Sequence, residues 1–199
     1  MDKPYSPAVD RNKVPIFEVL KDYVMEGNRL LEIGSGTGQH AVFFAEKFPS
    51  LTWVTTDVKE NHAGIKEWIN EANLKNIKGP EELKIGVDDF PKKPFDYVFT
   101  ANTLHIMSWK EGKTLFKLLG KRLREGCLTF FYGPFNRGGE YTSESNEEFD
   151  RSLKAWDPRS GIRNFEDVVK AMESFGFKLL KDHEMPSNNR LLVFERLSK

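Results

Sequence analysis

The run Leu30-Leu31-Glu32-Ile33-Gly34-Ser35-Gly36-Thr37-Gly38 sets three glycines at alternate positions, directly after a short apolar run and directly before a helical pattern. Glycine tolerates positive φ and lets a ligand come close to the main chain. This stretch therefore suits a tight strand-to-helix turn. Amide groups at the start of the following helix, from Gln39, would face a ligand at an electropositive helix terminus.

Apolar runs and helical patterns alternate on both sides of that turn. A polar arm with Pro4 and Pro7 precedes a helix expected over about Val14 to Met25, with Ile16, Phe17, Leu20 and Val24 on one face. Strands are expected at Arg29 to Ile33, Leu51 to Thr55, Glu82 to Val87, Phe95 to Ala101 and Cys127 to Tyr132. Helices read over Gln39 to Phe48, Asn61 to Ala72 and Lys110 to Leu123. Residues 133–163 are polar and rich in turn formers, with one helix over about Asn146 to Ala155 opened by a capping-box pattern of Ser145 and Glu148. A helix over Phe165 to Phe175, capped by Asn164, leads to a last strand pair, Phe177 to His183 and Leu191 to Arg196. Their short connection, Met185 to Asn189, requires an antiparallel hairpin. Five β-α repeats imply an α/β fold, a parallel sheet with helices on both faces. The hairpin adds one antiparallel strand, and this combination resembles the known Rossmann-like seven-stranded sheet of order 3-2-1-4-5-7-6 with strand 7 antiparallel. At 199 residues the chain suits a single domain, 1–199, with an N-terminal arm and helix (1–27) and a lid-like insertion (133–163).

Thirty basic residues balance thirty acidic ones. The basic stretch from Lys110 to Arg124 spreads its charges around a helix that also carries Leu115, Phe116, Leu118 and Leu119, so it reads as a solvated face and gives no strong nucleic-acid signal. A small or medium-sized substrate is expected. The single cysteine, Cys127, lies in an apolar run and excludes an internal disulfide or a cysteine-based zinc cluster. The amino terminus does not resemble a signal peptide, and no segment approaches the roughly 20 apolar residues that span a bilayer. A cytoplasmic protein with no membrane partner is the expectation.

The glycine spacing separates two cofactors. Dinucleotide enzymes use G-x-G-x-x-G, so that amides reach a pyrophosphate. Here the spacing is G-x-G-x-G, and Glu32 precedes it by two residues. A carboxylate there repels phosphates but suits the ammonium group of a methionine moiety. S-adenosylmethionine on Glu32, Gly34, Ser35, Gly36 and Gly38 is therefore favoured over NAD. The bland alternative is a tight turn with no ligand. Asp57 ends the second strand, where an acid can accept both ribose hydroxyl protons, or else cap the next helix. Asp88 and Asp89 are expected at the end of the third strand, Asp88 beside the adenine amino group, or in a solvated turn. No His or Cys lies near them, so no metal is expected. The fourth strand ends in Ala101-Asn102-Thr103-Leu104-His105-Ile106 at the sheet's switch point. Asn102 could hold cofactor or substrate through its amide. His105 is the candidate general base, against the commoner role of a packed structural histidine.

Several longer segments carry a resemblance. They include Ser6 to Lys13, Leu31 to His40, Ala101 to Ile106, Tyr132-Gly133-Pro134-Phe135, Thr142 to Asn146, Phe149 to Leu153, Asp157 to Arg163 and Met185 to Asn189. In these the chain resembles the methyltransferase-like 26 family, a branch of the class I methyltransferases. The resemblance implies S-adenosylmethionine binding and methyl transfer, and supplies no substrate. In such a fold Arg11 and Asn12, placed just before the first helix, would reach the cofactor pocket, with Arg11 clamping the methionine carboxylate or an acidic substrate. Tyr132 would leave strand five over the methyl group as a second candidate base. The 133–163 insertion would act as a lid with Tyr141, Ser145, Asn146, Phe149 and Asp150 facing inward, or else be a variable surface loop. The expected activity is transfer of a methyl group to an O, N or S nucleophile. A non-catalytic S-adenosylmethionine-binding sensor or scaffold is the main rival, followed by an NAD-dependent oxidoreductase and a partner-binding protein.

Overall fold

The computed structural model describes residues 3–25 and 27–198. They form two compact units, residues 1–100 and 101–199.

In the first unit, α1 (Pro7–Leu20) begins seven residues before the expected start. Pro7 occupies the first turn, where a missing N–H costs nothing, and Ser6 before it is extended. Val9, Asn12, Ile16 and Leu20 form the buried stripe. Arg11 and Asn12 consequently lie inside the helix and not ahead of it. β1 (Arg29–Ile33) is followed by α2 (Gln39–Lys47), β2 (Thr52–Asp57), a 3-10 turn at 59–61, α3 (His62–Ala72), β3 (Ile77–Glu82) and β4 (Tyr97–Ala101). The strand order is β3-β2-β1-β4, and β1 pairs in parallel with β2 and β4, so that Glu32 stands beside Thr55 on one side and Phe99 on the other. The core beneath is aromatic: Phe44 stacks on Trp53 at 5.3 Å and meets Phe99 edge-on at 5.5 Å. Each such pair adds about 0.5–1.5 kcal/mol beyond its area burial.

The third strand is displaced from its expected place. Glu82 to Val87 is mostly turn, and β3 runs over Ile77–Glu82, of which only Ile77 is buried. An edge strand needs no apolar alternation, which is why its pattern is silent. The apolar residues that drew attention, Leu83 and Ile85, are buried in the turn that follows. Gly79 accounts for a register shift between Val54 and Thr56: a Cβ there would lie 2.5 Å from the Thr55 carbonyl oxygen. Asp88 and Asp89 therefore belong to a turn and not to a strand end, with Val87 N and Asp88 N both bonded to Lys84 O at 3.0 Å.

In the second unit, α4 (Trp109–Arg122) opens with a capping box between Ser108 and Glu111. β5 (Leu128–Asn136) continues four residues past the expected end because Gly133 to Asn136 are buried as well. α5 (Glu144–Trp156) is capped by Ser143, whose hydroxyl accepts from Asn146 N at 3.2 Å, and not by the Ser145–Glu148 pattern. β6 (Arg163–Asn164) pairs in parallel with Phe135 and Asn136. α6 (Phe165–Ser174) follows Asn164, which donates to Asp167 and makes no side-chain cap. β7 (Phe177–Met185) and β8 (Asn189–Arg196) form the expected antiparallel hairpin, and the order is β5-β8-β7. The order within each unit follows the expected one, with the antiparallel β8 beside β5. No described helix is long and apolar enough to cross a membrane.

Candidate functional site

The glycine turn leaves β1 with all three glycines at positive φ: Gly34 at 72°, Gly36 at 58° and Gly38 at 93°. Two of them are glycine for different reasons. A Cβ on Gly38 would lie 3.1 Å from the Ile65 backbone, so this glycine lets α3 approach. A Cβ on Gly36 would meet nothing within 4 Å, so this glycine opens on free space. The turn is fastened to β2. Gly34 N and Ser35 N both donate to Thr56 O at 3.0 Å, and Gly36 N donates to Asp57 Oδ2 at 2.6 Å.

Asp57 is thus the acid that holds the turn. Its Oδ1 accepts from Val58 N at 2.7 Å and from Asn61 Nδ2 at 2.9 Å. The ribose reading and the capping reading meet in one side chain, since Oδ1 serves the start of the next segment and Oδ2 carries one bond from the turn.

Glu32 is buried inside the unit. A single oxygen, Oε2, accepts from Ser35 Oγ and from Trp53 Nε1, each at 2.9 Å. Burial pushes its carboxyl up to about 7; the two donors pull against this shift, and the Asp57 charge adds to it. The group is consequently poised between its protonated and ionised forms near neutrality, and an approaching cation would favour the ionised one.

Other predicted residues of this unit stand apart. Arg11 is exposed on α1 and has no hydrogen-bond or ion-pair partner among the described residues. Asp88 accepts from Lys84 N at 2.6 Å and so closes its own turn, next to Val87, which is 71% exposed. Sequence reasoning assigned no role to His40 and Gln39, which follow the glycines directly. His40 Nε2 lies 2.7 Å from Asn12 Oδ1. Burial, with a smaller push from Lys13, lowers its imidazole to about 3; it is neutral, and Nε2–H donates to Asn12. Gln39 Oε1 accepts from Ser6 N at 2.6 Å and from Thr37 Oγ1 at 3.0 Å. Their signal was present in the Gln39-His40 pair after the loop, but a helix start offers no reason to single out its side chains.

In the second unit, Asn102 adopts φ 57° and its N–H donates to Tyr132 O at 2.8 Å. A Cβ on Gly133 would lie 3.6 Å from His105 Nδ1 and 3.8 Å from Asn102 Oδ1, so the β5 backbone passes close to both polar groups. His105 is 5% exposed and meets Phe149 edge-on at 5.1 Å. Burial and then the charge of Arg163 lower its imidazole to about 4, so it is neutral at physiological pH. Neither ring nitrogen is hydrogen-bonded among the described residues. Tyr132 is buried in β5, opposite Leu191. Of the residues expected to face inward from the insertion, Asn146 and Asp150 are buried, whereas Tyr141, Ser145 and Phe149 are exposed. Asp150 accepts from Tyr141 Oη and Ile162 N, both at 2.7 Å, and pairs with Lys154 at 2.5 Å.

The structure thus brings Glu32, Ser35, Gly36 and Asp57 together in one unit, and Asn102, His105 and Gly133 together in the other. Many solved structures share the fold, three methyltransferases among them. The S-adenosylmethionine-dependent methyltransferase SibL, in its apo form, matches over 92% of this chain and 54% of its own, at 21% identity and a TM-score of 0.77. An O-methyltransferase family 2 protein from Planctomyces limnophilus, in complex with apigenin, matches over 88% and 52%, at 16% identity and a TM-score of 0.77. Human N-acetylserotonin methyltransferase, in complex with S-adenosylmethionine, matches over 86% and 48%, at 14% identity and a TM-score of 0.73. The chain spans about half the length of these proteins. Its fold is the Rossmann-like α/β fold of the class I S-adenosylmethionine-dependent methyltransferases. The chain belongs to the family described as protein of unknown function (DUF938), whose model matches residues 3–196.

Proposed function

We propose that this protein is an S-adenosylmethionine-dependent methyltransferase acting on a small or medium-sized acceptor that carries an O–H, N–H or S–H group. The observation that carries the reading is the Gly36 N to Asp57 Oδ2 bond beside a glycine open to free space. It couples a turn able to receive a ligand to an acid at the end of the adjacent strand. The motif resemblance to the methyltransferase-like 26 family and the cofactor bound by human N-acetylserotonin methyltransferase support the same cofactor. The apigenin bound by the Planctomyces limnophilus protein supports a small-molecule acceptor.

The residues fit the cofactor chemically. The turn Gly34-Ser35-Gly36-Thr37-Gly38 and the Glu32 carboxylate would hold the methionine portion, and Arg11, which has no hydrogen-bond or ion-pair partner among the described residues, its carboxylate. Asp57 keeps acceptor capacity on Oδ2 for the ribose, and Asp88 beside the exposed Val87 would serve the adenine. When bound, the cofactor supplies an electrophilic methyl carbon for in-line transfer. The second unit would serve the acceptor. His105 accepts its proton or hydrogen bond as the neutral imidazole, Asn102 orients it, Tyr132 is the second candidate base, and residues 133–163 exclude water. Both units would work as one catalytic domain, 1–199, in the cytoplasm, where the buried Cys127 thiol remains reduced.

Calorimetric titration of wild type and Asp57→Ala with S-adenosylmethionine, S-adenosylhomocysteine and NADH tests this. Micromolar binding of both adenosyl ligands, weakened at least about tenfold in the variant, is expected for a lost charge-assisted contact. Binding of NADH alone, or of none of the three, overturns the reading.

A further inference from the structure

Residues 103–107 make a single turn that does not continue into a helix, with Ile106 N and Met107 N bonded to Thr103 O. Such a turn leaves its later carbonyls without local partners. Here four consecutive ones are taken up by one short segment. Arg163 Nε donates to Leu104 O at 3.3 Å, Gly161 N to His105 O at 2.8 Å, Ser160 Oγ to Ile106 O at 2.7 Å, and Arg163 Nη2 to Met107 O.

The segment is itself anchored on α5. Ile162 N donates to Asp150 Oδ1 at 2.7 Å, and the approach is so close that a Cβ on Gly161 would lie 2.9 Å from the same oxygen. The residue before Asp150 is Phe149, whose ring lies edge-on to the His105 imidazole. Neighbouring side chains of one helix therefore hold both ends of the arrangement: Phe149 the ring, and Asp150 the segment behind it.

We propose that residues 160–163, fastened by Asp150, form a clamp that positions the His105 imidazole, with Arg163 as its central positioning residue. The role rests on the reading of His105 as the group that meets the acceptor. The Arg163 guanidinium is spent on the carbonyls of Leu104, Met107 and Arg159, which makes it a positioning residue. Its second effect is electrostatic. Around His105 stand the uncharged Phe149, Asn102 and Gly133, so Arg163 is the charge that acts on the ring, with Asp150 acting in turn on Arg163. The clamp orients the imidazole, and the charge of Arg163 adds to the burial that lowers its basicity.

Imidazole 15N NMR of the full-length protein tests this, with the His105 signals identified among the four histidines by His105→Gln. Arg163→Gln is expected to raise the His105 titration midpoint by about half a unit or more. Arg163→Lys, which keeps the charge, should stay closer to wild type. Gly161→Ala also keeps the charge but drives residue 161 away from Asp150, and should displace the His105 ring resonances. Folded Arg163→Gln and Gly161→Ala proteins with His105 signals identical to wild type would overturn the proposal. Should Arg163→Gln not fold, Ser160→Ala, which removes the bond to Ile106 O, and Gly161→Ala carry the test through the His105 ring resonances. Failure of the methyltransferase reading is separately visible as absent S-adenosylmethionine binding in wild type, a result that the titration does not depend on.

Discussion

Replacing Glu32 with glutamine should make the protein more stable, and by an amount that depends on pH. Glutamine keeps an oxygen for Ser35 Oγ and Trp53 Nε1 but cannot ionise. The carboxyl is raised from 4.5 to about 7 in the folded state, with burial the chief cause. A raised folded-state value means that folding favours the protonated form. The wild type is therefore least burdened below pH 4.5 and loses stability as pH rises through about 7. At about 1.4 kcal/mol per unit, the full penalty above pH 7 is about 3 kcal/mol. For a chain of this length it corresponds to a gain of about 6–12 °C in Tm for the variant at pH 8. Thermal unfolding followed by circular dichroism at pH 4, 6 and 8 would show the gap opening with pH. A variant no more stable than wild type at pH 8, or a gap already complete at pH 4, would refute the reasoning. The same substitution should weaken S-adenosylmethionine binding, because the ionised carboxylate offered to the ammonium group is gone.

Three other outcomes are expected. Gly36→Val should reduce S-adenosylmethionine affinity at least about tenfold, since its side chain enters open space at the turn, with a stability cost of about 1–3 kcal/mol from the positive φ; calorimetry and a melt separate the two effects. His105→Gln should lower turnover by about 10²–10⁴-fold if the imidazole takes the acceptor's proton, and a rate within about threefold of wild type removes that role. His40 is depressed to about 3, so its contribution to stability is present above pH 6.5 and is lost as pH falls towards 3. His40→Gln, which retains a donor for Asn12, should accordingly flatten the acid limb of the stability profile in urea titrations between pH 6.5 and 4.

Much of the fold was legible because the signals that specify it are local. β1, the glycine turn, α2 and the terminal hairpin stand where their residues predict, since a run of apolar residues closed by glycines and a short Pro-Ser-Asn-Asn connection leave few conformations open. β3 was illegible for the opposite reason. An exposed edge strand has no buried face to advertise, and the apolar residues beside it serve a turn. The start of α1 was hidden by Pro7, which reads as a breaker but sits where a helix accepts proline. The cap of α5 went to Ser143 because only the folded backbone decides which of two nearby serines precedes the first helical residue.

The candidate site divides in the same way. Glu32, Gly36, Asp57, Asn102 and His105 were singled out by residue type and by their place at or just beyond the carboxyl end of a strand, where ligands of such sheets bind. Their partners were not. That Trp53 and Ser35 share one oxygen of Glu32, that Asp57 holds the turn, and that His40 bonds to Asn12 depend on contacts between residues 3 to 28 positions apart. The clamp on Leu104 to Met107 is furthest from view, because two of its four bonds come from one arginine, one from a main-chain amide, and all end on carbonyls that every residue possesses. The amino-acid pattern alone determined the alternation of strands and helices and the place of the glycine turn, since hydrophobic period and glycine's φ freedom act within a few residues. The tertiary structure alone decided which groups are buried, and hence which are charged, since desolvation depends on everything packed around a side chain and not on its neighbours in sequence.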